Sequence, residues 1–531
     1  MKATNKSTAD VNRRSLLLGT AAAAAGTAVG AAVGTAEAAS PGSVTWDTEF
    51  DVVIAGFGLA GCSAAIEALD AKPDAKILIL EKAPEEHAGG NSRASGQSLW
   101  RPKPNKQALM HYQRKMGEPN PIPEDLLEFW ADQLLELEPW IKDRAKEARQ
   151  EYVTSAGTRE MPEYGAEEAV LSATILPRPG GLWEAFKKNI DKRPVTVWYE
   201  SPAVELVQDC ESGEVFGLIV EQAGKRIAVR ARGGVVMAVG GFENNMDMQR
   251  NYFGHDVYPF GTPYNTGDGI RMVQKAGADL WHMRARVQSG GIWPAIQVPE
   301  FDTVFMRDFQ SREQTEYHSW IDVAADDRRF YDETKRYSAT HHKEKRHGHY
   351  FDTEFFQVQP VHMIFDETVC KNFCLMMKWM TWNAAVHRYD WSEDNSAEVE
   401  KGWVLKADTL AGLAFKMGRN ADQIIRTVDE YNEACRAGKD EAFGRHPDTL
   451  SPIENGPFYA VKIVGGIVCT SGGAKRNKDS EVLDYAGKAI PGLYEAGNLG
   501  SFISHLYQNG AYLTEAMITG RTAGKNAVLR S

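Results

Sequence analysis

Asp51-Val52-Val53-Ile54-Ala55-Gly56-Phe57-Gly58-Leu59-Ala60-Gly61, followed by Ile77-Leu78-Ile79-Leu80-Glu81, decides the fold. The first five residues are a short apolar run suited to a buried parallel strand. The glycines then fall in G-x-G-x-x-G spacing. Gly56 permits the tight turn, Gly58 lets the backbone approach a pyrophosphate, and Gly61 lets the following helix pack on the strand. Leu59 to Ala71 is rich in alanine and leucine and predicts that helix, which Pro73 helps to end. Its N-terminus would hold phosphates through free N–H groups and the positive end of the dipole. Glu81 closes the second strand about 20 residues past the last glycine, where a carboxylate can accept both ribose hydroxyls of an adenosine. A glycine-rich turn in some other α/β protein would not need all of these parts in one unit. The stretch reads as a dinucleotide site.

Outward from it, the chain of 531 residues is too long for one ordinary core and predicts two large domains. It is 43% hydrophobic and 25% charged, the balance of a soluble globular protein. The net charge of −12 argues against a nucleic-acid partner and against docking on an anionic membrane surface. Six scattered cysteines do not make a disulfide framework, and no apolar run after the leader reaches membrane-spanning length. Asn12-Arg13-Arg14-Ser15-Leu16-Leu17-Leu18 opens an Ala/Gly stretch running to about Ala36. Ala36-Glu37-Ala38 fits a cleavage site, so residues 1–38 read as a twin-arginine-type export signal. A membrane helix is the competing reading, and the Ala/Gly content makes it a poor one. The expectation is an exported chain, associated with a membrane only through a redox partner or an uncleaved leader.

Gly89 to Gly96, with Asn91 and Ser92, is a small polar loop able to crowd a cofactor. Residues 102–180 are polar and helical in pattern, and Leu126, Leu127, Trp130, Leu134 and Leu137 form a stripe best read as core. Strands are predicted at 195–199, 203–207, 215–220, 225–229 and 234–239, the last ending in Gly240-Gly241-Phe242. From about Gly290 to Pro452 aromatic, histidine and charged residues dominate and the strand pattern fades, which predicts an inserted second domain. Strand-like runs return at 458–464 and 492–494, before a final helix over 510–527.

Taken together, Val52–Glu81, Gly89–Gly96, Val235–Phe242, Asn265–Gly277, Arg328–Glu333 and Gly492–Gly524 resemble the flavoprotein superfamily of fumarate reductase, succinate dehydrogenase and 3-ketosteroid Δ1-dehydrogenase. The resemblance implies an α/β fold: a Rossmann-type FAD-binding domain over 47–289 and 456–531, with an inserted α+β capping domain over 290–455. It implies non-covalent FAD held at the fingerprint glycines Gly56, Gly58 and Gly61 and at Ala60, Glu81, Asn91, Ser92, Gly96, Val204, Gly240, Asp268, Asn498 and Leu513. It also implies chemistry at a carbon–carbon bond next to a carbonyl.

A dicarboxylate substrate needs fixed cations. Fumarate reductases place an arginine where this chain has Tyr507, and a substrate histidine where it has Cys469. No counterpart of their other histidine occurs in Gln288-Ser289-Gly290-Gly291. These departures resemble the ketosteroid branch, with Ala496-Gly497-Asn498 and His505-Leu506-Tyr507 as in steroid dehydrogenases. Tyr507 could donate a hydrogen bond to a ketone, or be a packed aromatic at the helix entry. Arg336 or Tyr337, just beyond the Arg328–Glu333 block, could protonate the carbon beside the carbonyl, or be a solvated pair. His341, His342, His347 and His349 read as a solvated loop rather than a zinc site. Cys370 and Cys374 read as buried thiols, and Cys469 as the cysteine beside the flavin. No Cys-x-x-Cys-His occurs, so electrons must come from a separate cytochrome or quinone-linked partner. The leading expectation is an exported ene-reductase for a bulky enone or ring ketone. The rivals are a 3-ketosteroid-type dehydrogenase and a flavin-bearing electron carrier with no organic substrate.

Overall fold

The computed structural model describes residues 41–157, 160–287, 293–308, 315–335, 341, 343–353 and 359–531. Arg336, Tyr337, His342, Gln288–Gly291 and the leader lie outside these. The described residues belong to one compact unit.

The first sheet has eight strands, of which six run in the order 481–483, 489–495, 225–237, 48–55, 77–80 and 195–198. Thr48–Ala55 is central and parallel to both neighbours, pairing Val52 with Ile77 and Val53 with Val235. Val52 to Ala55 are buried, as a strand covered on both faces must be. The chain leaves this strand to one side through Leu59–Ala71, and the sheet grows to the other side through Lys225–Met237. The order therefore reverses at Ala55, which opens a crevice at the strand ends. The hairpin Val215–Gln222/Lys225–Met237 forms as predicted, but the two expected strands at 225–229 and 234–239 are one continuous strand.

Leu59–Ala71 packs against the final helix, Ala511–Arg530. Gly520 and Gly524 make this approach possible: an added Cβ would stand 2.3 Å from Ala60 O and 2.0 Å from Ala64 O respectively. Gly61 plays the same part toward the strand, where a Cβ would lie 2.0 Å from Gly56 O. The helical insertion contributes Lys106–Gly117 and Glu124–Ala148, and the predicted stripe Leu126, Leu127, Trp130, Leu134 and Leu137 is buried core.

The inserted region carries more sheet than its pattern suggested. Phe305–Met306, Trp293–Ile296, Phe458–Ile467, Val361–Asp366 and Trp320–Val323 lie side by side in a mostly antiparallel seven-stranded sheet. All but Phe458–Ile467 are two to six residues long with a buried aromatic each, so polar alternation does not show in them. Phe458–Ile467, placed by sequence with the returning FAD-binding segment, is a central strand of this sheet. Leu410–Met417 and Ala421–Ala437 cover one face, packing Leu413, Ile424 and Val428 on Ile321 and Ile364.

Candidate active site

A long cleft starts at the end of Thr48–Ala55 and runs between the first sheet and the inserted region. Gly56 turns the chain at φ +106°, and an added Cβ would lie 2.2 Å from Ala238 O. At Gly58 a Cβ would have only Ser92 Oγ at 3.5 Å and Gly89 O at 3.8 Å for company, so it would fill the cleft itself. The Leu59 N–H donates to Ser92 Oγ at 3.0 Å, which ties the 89–96 loop to the first turn of the helix. Glu81 is buried, and burial pushes its carboxyl above the usual range against the pull of its donors. It accepts from the Phe57 N–H at 3.3 Å and the Ala83 N–H at 2.8 Å.

Beside Glu81, Lys82 Nζ donates to Asp268 at 2.6 Å and to Thr266 Oγ1 at 2.6 Å. That pair ties the second strand to the start of the helix Asp268–Lys275. Asn91 faces the cleft while its amide joins separate stretches: Nδ2 donates to Glu243 at 2.5 Å and to Val468 O at 3.1 Å, and Oδ1 accepts from the Thr262 N–H at 2.9 Å. Glu243 is fully buried and also accepts from Asn265 at 2.6 Å and Thr470 at 3.2 Å. It is the acid that anchors this wall, and no spacing in the sequence marked it.

Gly56, Gly58, Ala60, Glu81, Asn91, Ser92, Gly96, Gly240, Asp268, Asn498 and Leu513 all border the cleft. Gly61 does not; it serves helix packing instead. Val204 is also off the cleft, with its side chain against Val207, Ile219 and Ala228, and Ser201 to Ala203 form that part of the lining. A mirrored cradle of glycines, a helix N-terminus and a buried acid at a strand end fit a dinucleotide with a ribose and a pyrophosphate.

A second group of lining residues is aromatic and sulfur-rich: Trp293, Met306, Met377, Trp379 and Met380 from the inserted region, with Tyr507 and Tyr512 opposite. Tyr507 stacks on Tyr512 at 4.9 Å and 21°, and its hydroxyl accepts from the Gly510 N–H at 3.1 Å. The phenol proton is thus left to donate. Burial, and next the neighbouring Cys469, pushes the Tyr507 phenol far above its ordinary range, so it stays protonated. Burial likewise keeps Cys469 a neutral thiol, which removes it as a nucleophile. Cys370 and Cys374 are free, and their thiols donate to Asp394 O and Met376 O.

His341 corrects the sequence reading. It is not a solvated loop residue but is 1% exposed, with its ring 4.9 Å from Tyr507. His347 and His349 are exposed, as expected. Among the described residues no cluster is arranged to hold a metal ion, and no helix is long and apolar enough to cross a membrane. Among the described lining residues Lys82 is the only lysine or arginine, and Asp268 engages it.

A family model described as an FAD binding domain matches residues 51–511. The chain is 27% identical to a vinyl phenol reductase of Lactiplantibacillus plantarum, over 90% of this chain and 96% of that protein. It is 26% identical to a digoxin reductase of Eggerthella lenta, over 97% of this chain and 96% of the other. The fold matches a 3-ketosteroid Δ1-dehydrogenase from Sterolibacterium denitrificans with TM-score 0.71 at 21% identity, covering 91% of this chain and all of that one.

Proposed function

Because the chain belongs to this FAD-binding family, with FAD as cofactor and oxidation–reduction at carbon–carbon bonds as its chemistry, we propose that it reduces a neutral, ring-bearing alkene conjugated to a carbonyl. One observation carries the substrate class. The Tyr507 part of the cleft offers phenols, tryptophans and methionines, with no lysine or arginine among its described residues. Among the described residues a dicarboxylate leaving water there would find no guanidinium or ammonium partner. An apolar ring would lose little, and the Met and Trp walls can adapt to its outline.

Bound FAD supplies the two-electron carrier. The chain supplies orientation and polarisation: Tyr507 donates to the carbonyl oxygen and stabilises charge that develops there during reduction. The cap side chains Trp293, Met306, Met377, Trp379 and Met380 would exclude water from the bound ring. The reductive direction is favoured because relatives similar along nearly their whole length are named as reductases. We further propose export through the leader, supported by Arg13-Arg14 and Ala36-Glu37-Ala38. Electrons would then arrive from a separate cytochrome or quinone-linked protein. N-terminal sequencing of the secreted chain should begin near Ala39; a chain retaining Met1 inside the cell would overturn the export proposal.

The substrate reading is tested anaerobically. The flavin is reduced, and enones, vinyl phenols, acrylates and ketosteroids are added one at a time. Reoxidation by a neutral ring-bearing alkene is expected. Bleaching of the oxidised flavin by a saturated ketosteroid, with no response to alkenes, would show a dehydrogenase instead. Reoxidation only by partner proteins would show an electron carrier.

A further inference from the structure

Separate stretches of chain meet beside Tyr507: Glu160 from the helical insertion, His341 from the inserted region, and Gln508 and Asn509 from the last loop. Glu160 is 1% exposed and firmly held. Its carboxylate accepts from Asn509 Nδ2 at 2.9 Å and from the Asn509 N–H at 3.3 Å, while its own N–H donates to Gln508 Oε1 at 3.0 Å. Tyr112 steadies the same corner, donating to Glu160 O at 2.7 Å. One Glu160 oxygen then lies 3.3 Å from His341 Nε2. Neither ring nitrogen of His341 makes a well-aligned hydrogen bond among the described residues, yet the ring borders the cleft. A buried imidazole beside a fixed carboxylate, short of one partner and next to the polarising phenol, is the arrangement of an acid–base group waiting for its substrate.

We propose that Glu160 and His341 are the proton-handling pair of this site. Glu160 is a positioning residue that fixes the imidazole, and His341 delivers the proton to the bound alkene. This rests on the reductive reading given above. The hydride equivalent is the cofactor's and the proton is the chain's. As an N–H bond of the imidazolium breaks, a C–H bond forms at the α-carbon, and solvent reprotonates the neutral imidazole. Burial keeps Tyr507 protonated, so it is suited to hydrogen bonding rather than to giving up its proton. Among the described residues the titratable groups packed around His341 are Glu160 and Tyr507, with Cys469 and Tyr512 behind the latter. Lys343, two residues along, is engaged by Asp352, with His505 nearby.

The test uses the full-length holoenzyme and the variants His341→Gln, Glu160→Gln, Arg336→Gln and Tyr337→Phe. Reoxidation of reduced flavin by an enone is followed between about pH 5 and 9. His341→Gln should slow it by about 10²-fold or more, with the flavin spectrum and enone affinity unchanged. Glu160→Gln should slow it with flavin spectrum and enone affinity unchanged, and Glu160→Asp should recover part of the rate. The NMR signal of His341, identified by its loss in His341→Gln, should shift in Glu160→Gln, because the imidazole loses the carboxylate oxygen beside Nε2. Wild-type rates in His341→Gln, together with collapse in Arg336→Gln or Tyr337→Phe, would overturn the proposal, as would a His341 signal unmoved by Glu160→Gln. If the wild type consumes no enone, the reductive reading fails; the NMR comparison needs no substrate and judges the pair separately.

Discussion

Tyr507 and His341 line the aromatic wall as side chains able to donate a hydrogen bond or a proton there. Tyr507 accepts from the Gly510 N–H and keeps its own proton free. Tyr507→Phe should lower kcat by about 10²–10³-fold, the usual effect of losing one oxyanion-type donor. Steady-state kinetics should show little change in flavin content, since the phenyl ring still stacks on Tyr512. The place of Tyr507 on the cleft wall was legible because a motif aligned it. His341 was not, because its meaning depends on Glu160, which lies nearly two hundred residues earlier and carries no motif. Burial decided it, and a run of histidines and lysines in sequence says nothing of burial. Glu243 was missed for the same reason: its partners Asn91, Asn265 and Thr470 converge only in space.

At the scale of elements, the contact between Leu59–Ala71 and Ala511–Arg530 fixes one wall of the cleft. Gly520→Ala or Gly524→Ala would drive a methyl into the backbone of Ala60 or Ala64. Each should destabilise by about 1–3 kcal/mol through overpacking, read as a lower denaturant midpoint with an unchanged slope. Arg476 ties three elements at once, pairing in full burial with Glu495 and Glu515 while Ser501 and the Phe502 N–H also hold Glu515. Burial pushes Glu495 up to about 7 against the pull of Arg476. Arg476→Met should cost about 3–5 kcal/mol, because it leaves uncompensated buried acids. Thermal unfolding would measure it, and a stabilised variant would refute the role. Strand, loop and helix of the fingerprint were legible because their apolar runs and glycines act locally. Most of the second sheet was not, since Phe305–Met306, Trp293–Ile296, Trp320–Val323 and Val361–Asp366 are two to six residues long with a buried aromatic each and carry no alternation.

At the scale of the whole molecule, buried histidines and buried acids pull stability in opposite directions as pH falls. Burial holds His282, His318, His362 and His505 at about 4, below the ordinary histidine value. These rings bind more protons in the unfolded chain than in the folded one between about pH 6.5 and 4, so their contribution to stability is full above that window and falls as pH drops through it. Glu495, raised to about 7, works the other way. Histidine NMR titrations of the folded protein should find these four rings still neutral at about pH 5.5; rings that protonate near the ordinary histidine value would contradict their burial. The central claim is that a flavin lies against a neutral, aromatic wall rather than a cationic clamp. The most direct measurement is the anaerobic rate at which the reduced flavin of the purified full-length protein is reoxidised by a ring-bearing enone and, separately, by fumarate. The enone should reoxidise it and fumarate should leave it reduced; brisk reoxidation by fumarate with no response to the enone would contradict the account.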